Sequence, residues 1–173
     1  MPAPARDNER APAMSSVNTP HEEKSASGDA SPAAAYCMED LKPGMAATFS
    51  KTVTEEDVVA FAHISGDHNP IHLDEAYAAK TMFKTRIAHG MLSAAFISAA
   101  LAGKLPGSGA VYVGQTLKFK APVKLGDTVV VRVEVLTLVP EKRLATFQTR
   151  CFVGDKMVVD GEATLLVPSR SAA

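Results

Sequence analysis

Cysteine is scarce in this 173-residue chain. There are two, Cys37 and Cys151, far apart and without paired spacing. They read as reduced thiols, against a disulfide framework or a cysteine zinc site. Charge of either sign is also missing in excess: 18 Lys and Arg meet 19 Asp and Glu, for a net charge of −1. No basic run stands out, so nucleic acid is not expected as a partner. No apolar run approaches the ~20 residues that cross a bilayer, so no membrane partner is expected either. No internal repeat is visible, and the length suits one domain with its own core.

Residues 1 to about 40 lack hydrophobic period. They are rich in Ala, Pro, Ser and charge, and such a segment buries too little surface to offset its ordering entropy. It has no apolar signal-peptide core. Its arginines, Arg6 and Arg10, are mixed with Asp7, Glu9, Glu22 and Glu23, unlike a transit peptide. The expectation is a disordered tail, residues 1–40, on a cytoplasmic protein, with Met38 as a candidate second start.

Patterned sequence follows. Leu41 to Met45 turns into a strand over 47–53. Thr54 caps a helix with acids in its first turn, and Gly66 stops it. His63 on that helix has no partner suggested. Asp74 caps a short helix over 75–81. Lys80, Lys84 and Arg86 near the next loop would reach a phosphate or stand as solvated charges. From Met91 to Ala102 the chain is apolar on nearly every face, so burial is expected on nearly every face. Strand patterns then occupy 110–119, 127–139, 144–153 and 157–167, the last two joined by a Gly154-Asp155 hairpin turn. Long antiparallel strands after one buried helix predict an α+β domain.

The stretch Ser65-Gly66-Asp67-His68-Asn69-Pro70-Ile71-His72, with Ile87-Ala88-His89-Gly90-Met91 beyond it, gathers the groups able to do chemistry. Pro70 biases Asn69 out of the α region, which predicts a loop. A loop between two helices can aim a carboxylate, Asp67, and an imidazole, His72, at one water. The bland alternative is that Asp and Asn bond their own backbone and His72 caps the next helix. A metal site from Asp67, His68, His72 and His89 is the weaker reading, because Pro70 breaks the helical face that would pair His68 with His72. No metal and no cofactor are expected.

Asp67-x-Asn69-x-x-His72 followed by Ala88-His89-Gly90-Met91 resembles the signature of the MaoC-like, (R)-specific enoyl-CoA hydratases, over roughly 41–168. The short bacterial hydratases that supply polyhydroxyalkanoate synthesis are similar. The resemblance implies one hot-dog domain over 41–168, a curved antiparallel sheet around a central helix, with a short tail over 169–173. It implies an acyl-CoA thioester substrate and a homodimer with each site near the subunit interface. It makes Asp67 and His72 the catalytic pair and Asn69 the organiser of their loop. Gly90 becomes the oxyanion donor, and Ser98, in preference to Ser93, the support from the central helix. Leu101 and His89 are expected to contact substrate.

Hydrating a trans-2-enoyl thioester requires a base for the water attacking C3, a proton for C2, and a donor for the thioester oxygen. Asp67 and His72 can share the first two tasks. Gly90, a backbone N–H at a helix start with no side chain, suits the third. A hot-dog thioesterase is the nearer rival, since fold alone does not fix function. It would need an acid beside the thioester carbon, usually from the central helix, and no Asp or Glu lies between His89 and Ala102. A non-catalytic acyl-CoA-binding module would not need Asp67 and His72 together.

Overall fold

The computed structural model describes residues 35–172, all within one unit of the chain. Most of the expected tail, residues 1–34, lies outside the described residues. Residues 35–40, placed in that tail by composition, are packed instead. Met38 is 5% exposed in the core, and the Tyr36 N–H donates to the Pro106 carbonyl at 2.9 Å. A composition averaged over forty residues hides one anchoring side chain. At the other end, Arg170 pairs with Asp40 at 2.7 Å. The residues after 168 are thereby tied to those that begin the fold.

Five strands form one antiparallel sheet: β1 (Ala46–Thr52), β2 (Val111–Phe119), β3 (Thr128–Val139), β4 (Leu144–Val153) and β5 (Lys156–Leu166). Their spatial order is β1-β3-β4-β5-β2. The alternation in β3 is realised as expected, with Val129, Val131, Val133 and Val135 fully buried. These residues face the helix α4 (Gly90–Gly103), which packs against β1, β3 and β4. This is the α+β hot-dog arrangement of one antiparallel sheet and one central helix.

The helix α4 buries Leu92, Ser93, Phe96, Ile97, Ala100 and Leu101. Burial on nearly every face, the expectation from composition, is not what is found. Met91, Ala95, Ser98 and Ala99 are exposed, because one sheet covers one side of a helix. At the edge of the sheet, β2 is similarly open, with Val111, Val113 and Phe119 more than half exposed. Among the described residues no helix is long and apolar enough to cross a membrane.

Between β1 and α4 the chain forms three helices: α1 (Glu55–Ser65), α2 (Pro70–Leu73) and α3 (Glu75–Ala78). Thr54 and Asp57 form a reciprocal capping box at the start of α1, satisfying two orphan donors. Gly66 ends α1 with φ of 76°, a conformation that glycine adopts without strain.

Candidate active site

The 65–72 stretch is not a plain loop, and this corrects the expectation. Asn69 is non-helical, as the residue before a proline should be, but its Oδ1 accepts from the Ile71 N–H at 3.3 Å and caps α2. Pro70 is therefore the first residue of a helical turn, where its fixed φ is suited and its missing N–H costs nothing. That turn carries His72 inward while Asp67 stays on the extended segment before it. The Asp67 Oδ1 accepts from the Asn69 N–H at 3.2 Å, leaving Oδ2 toward His72.

The His72 side chain is 8% exposed and that of Asp67 51%. His72 Nδ1 lies 2.8 Å from the Ile87 carbonyl oxygen. A carbonyl only accepts, so Nδ1 carries the hydrogen and Nε2 presents a lone pair. That Nε2 stands 4.0 Å from Asp67 Oδ2. The gap is too long for a direct hydrogen bond and fits a single water about 2.8 Å from each atom.

Burial holds the His72 pKa below the ordinary imidazole value of 6.5, and the nearby His89 adds to this; the Ile87 carbonyl and Asp67 oppose it. A neutral His72 is the form able to take a proton. The acid limb of kcat/KM is therefore expected below pH 6.5, in a pH–rate profile measured with saturation checked at each point. Stability follows the same sign. The unfolded chain binds this proton first, so the contribution of neutral His72 is complete above the unfolded value and is lost as pH falls through the native one.

Asp67 and His72 open onto a cavity of about 750 Å³ walled by Phe61, Met82, Phe83, Phe119, Pro122 and Val158, with Ser65, Gly90, Ser93 and Lys120 among its polar or backbone contributors. Gly90 begins α4, and no side chain caps that helix. The first N–H groups of a helix lack intrahelical acceptors. A Cβ at residue 90 would stand 2.9 Å from the Phe119 ring, so glycine is what lets the helix start approach the cavity wall.

Of the other anticipated residues, His89 borders this cavity and Ser98 and Leu101 do not. Ser98 is exposed on the far side of α4, while Ser93 is buried and lines the cavity. Five residues along a helix is a rotation of about 140°, so the two serines cannot share a face. Leu101 is 1% exposed within the hydrophobic core and does not line this cavity. His89 borders the cavity but is 2% exposed; its ring lies against His72, centroids 3.8 Å apart and tilted by 32°, and near Phe61. It offers substrate almost no surface. His68 and His63 are exposed. Arg86 is engaged by Glu55, which favours a structural role over phosphate binding.

Asp67, His72 and His89 bring potential ligand atoms within 4.8 Å of one another. The stacking of the two imidazoles works against a metal, because ring lone pairs lie in the ring planes and two stacked rings do not aim at one ion.

A model of the MaoC like domain matches residues 40–159. The chain belongs to the MaoC-like family. It is 58% identical over 135 residues to an (R)-specific enoyl-CoA hydratase of Rhodospirillum rubrum, covering 78% of this chain and 94% of that protein. It is 53% identical over 136 residues to a 3-hydroxybutyryl-CoA dehydratase of Methylorubrum extorquens, covering 79% and 87%. Among solved structures, the unliganded R-hydratase PhaJ1 of Pseudomonas aeruginosa is similar with a TM-score of 0.75 and 50% identity, over 79% of this chain and 88% of that one. In this MaoC-like chain the Ile87 carbonyl, Ser65, Phe83 and Phe119 were not legible as site residues. A main-chain acceptor fifteen positions from its histidine leaves no trace in residue type.

Proposed function

We propose that the chain is an (R)-specific enoyl-CoA hydratase, a hydro-lyase that reversibly adds water to trans-2-enoyl-CoA to give (R)-3-hydroxyacyl-CoA in cytoplasmic fatty acid or polyhydroxyalkanoate metabolism. The observation that carries this reading is the 4.0 Å gap between a carboxylate and a neutral imidazole on the wall of a mainly apolar cavity. A water there gives one hydrogen bond to Asp67 and one to His72 Nε2. As its oxygen adds to C3, the pair takes up a proton, and a proton returns to C2 on the same face. One water is thereby added across the double bond in the syn sense. The negative charge on the thioester oxygen is met by the N–H of Gly90. Asn69, by capping α2, holds the turn that carries His72. The acyl chain lies along the Phe61, Phe83 and Phe119 wall.

Chiral analysis of the product from crotonyl-CoA tests the stereochemistry. The (R)-3-hydroxybutyryl thioester is expected; the (S) product would contradict this placement of the water.

The working unit is a homodimer. The nine-residue edge strand β2 exposes Val111, Val113 and Phe119, and α4 exposes a face of Met91, Ala95, Ser98 and Ala99. Unpaired apolar edges invite a second chain. Because Phe119 also lines the cavity, each site stands beside that interface. Sedimentation at micromolar concentration is expected to give twice the 18.2 kDa of the chain; a fully active monomer would refute it.

A further inference from the structure

We infer that His89 is a positioning residue that sets the spacing of Asp67 and His72, one ring holding the main chain of the first and backing the ring of the second. This rests on the hydratase reading above. The His89 Nε2 lies 3.0 Å from the Asp67 carbonyl oxygen. That oxygen can only accept, so Nε2 carries a hydrogen. The Nδ1 atom is buried and has no hydrogen-bond partner. His89 thus commits one ring nitrogen to the main chain of Asp67 and leaves the other, in a residue 2% exposed, without a partner.

A buried ring nitrogen without a partner is a cost that an apolar side chain at this position would avoid. What an apolar residue lacks is the combination found here. The ring is flat enough to stack on His72 at 3.8 Å, and it ends in a donor for Asp67. Phenylalanine supplies only the first and glutamine only the second. The Asp67 carbonyl is otherwise on an exposed segment between two helices, and the His89 bond crosses twenty-two residues of sequence to reach it. The same side chain thus fixes both partners of the water-holding gap while giving the cavity almost no surface of its own.

The test compares His89→Phe, His89→Gln and His89→Ala with the wild type, together with nitrogen-15 histidine spectra of the wild-type protein. A misplacement of catalytic groups by a fraction of an ångström to 1 Å costs up to ~10²-fold in rate. Phe and Gln are accordingly expected to lower kcat about 10-fold and Ala about 10²-fold, with KM for crotonyl-CoA within about two-fold of wild type. The spectra are expected to show a hydrogen on His89 Nε2. Folded variants with unchanged kcat would overturn the proposal, as would a rise in KM alone, which marks a substrate contact. An Nε2 without a hydrogen in the wild-type spectra would overturn it even if no variant folds. A wild type without hydratase activity would instead remove the functional reading, while the spectra still decide the state of the ring.

Discussion

Asp67→Asn and His72→Asn are each expected to lower kcat/KM for 2-enoyl-CoA hydration by ~10²–10⁴-fold, the span usual for loss of a positioned acid or base. Both variants are expected to stay folded. The Asp67 side chain is half exposed, and an amide oxygen at 67 can still accept from the Asn69 N–H. At position 72 an asparagine nitrogen reaches about where Nδ1 stood, so the donor to the Ile87 carbonyl survives. What each loses is a proton acceptor at the gap. An amide at position 67 is never ionised, and the shorter side chain at position 72 leaves nothing where Nε2 stood. Steady-state rates with crotonyl-CoA, beside circular-dichroism melts, separate chemistry from folding. A folded variant with near-normal turnover would show that the pair is not the acid/base couple.

The second large effect is on stability. Gly161→Ala is expected to cost about 3 kcal/mol, the upper end of what an added methyl costs in a packed site. Gly161 sits in β5 between β2 and β4, and a Cβ there would overlap the carbonyl oxygen of Thr116 on β2. The obstacle is backbone, which cannot swing aside as a side chain can, and strand glycines often mark such approaches. Either β2 moves outward or its pairing breaks, and Phe119 at its end lines the cavity. Gly114→Ala on β2 is the control, since its Cβ meets nothing within 4 Å. Denaturant titration of the two variants is expected to show a large loss for the first and little for the second.

These two sites also show what can be read from sequence. Thr54, Asp57 and Gly66 announce α1 because capping and a left-handed stop are local chemistry. The valines of β3 announce a half-buried strand because period two needs no partner to be recognised. Asp67 and His72 stand out only by their motif. Nothing local says that Pro70 starts a helical turn rather than preventing one, since the residue before it is extended in either case. Ser93 and Ser98 are indistinguishable until the helix is placed against its sheet, after which rotation alone separates them. The stacking of His89 on His72 and the Ile87 carbonyl behind it are products of chain crossing. Met38 was hidden among residues that have no period.

The central claim concerns which carbon the water attacks. In the proposed geometry the water between Asp67 and His72 adds at C3, charge collects on the oxygen held by Gly90, and the C–S bond survives. A thioesterase would place water beside the carbonyl carbon and release free CoA, and α4 carries no Asp or Glu to activate it there. The most direct measurement follows the enoyl absorbance of crotonyl-CoA during incubation with the enzyme while free thiol is titrated in parallel. Absorbance loss without thiol release is the predicted result. Stoichiometric release of thiol would contradict the account.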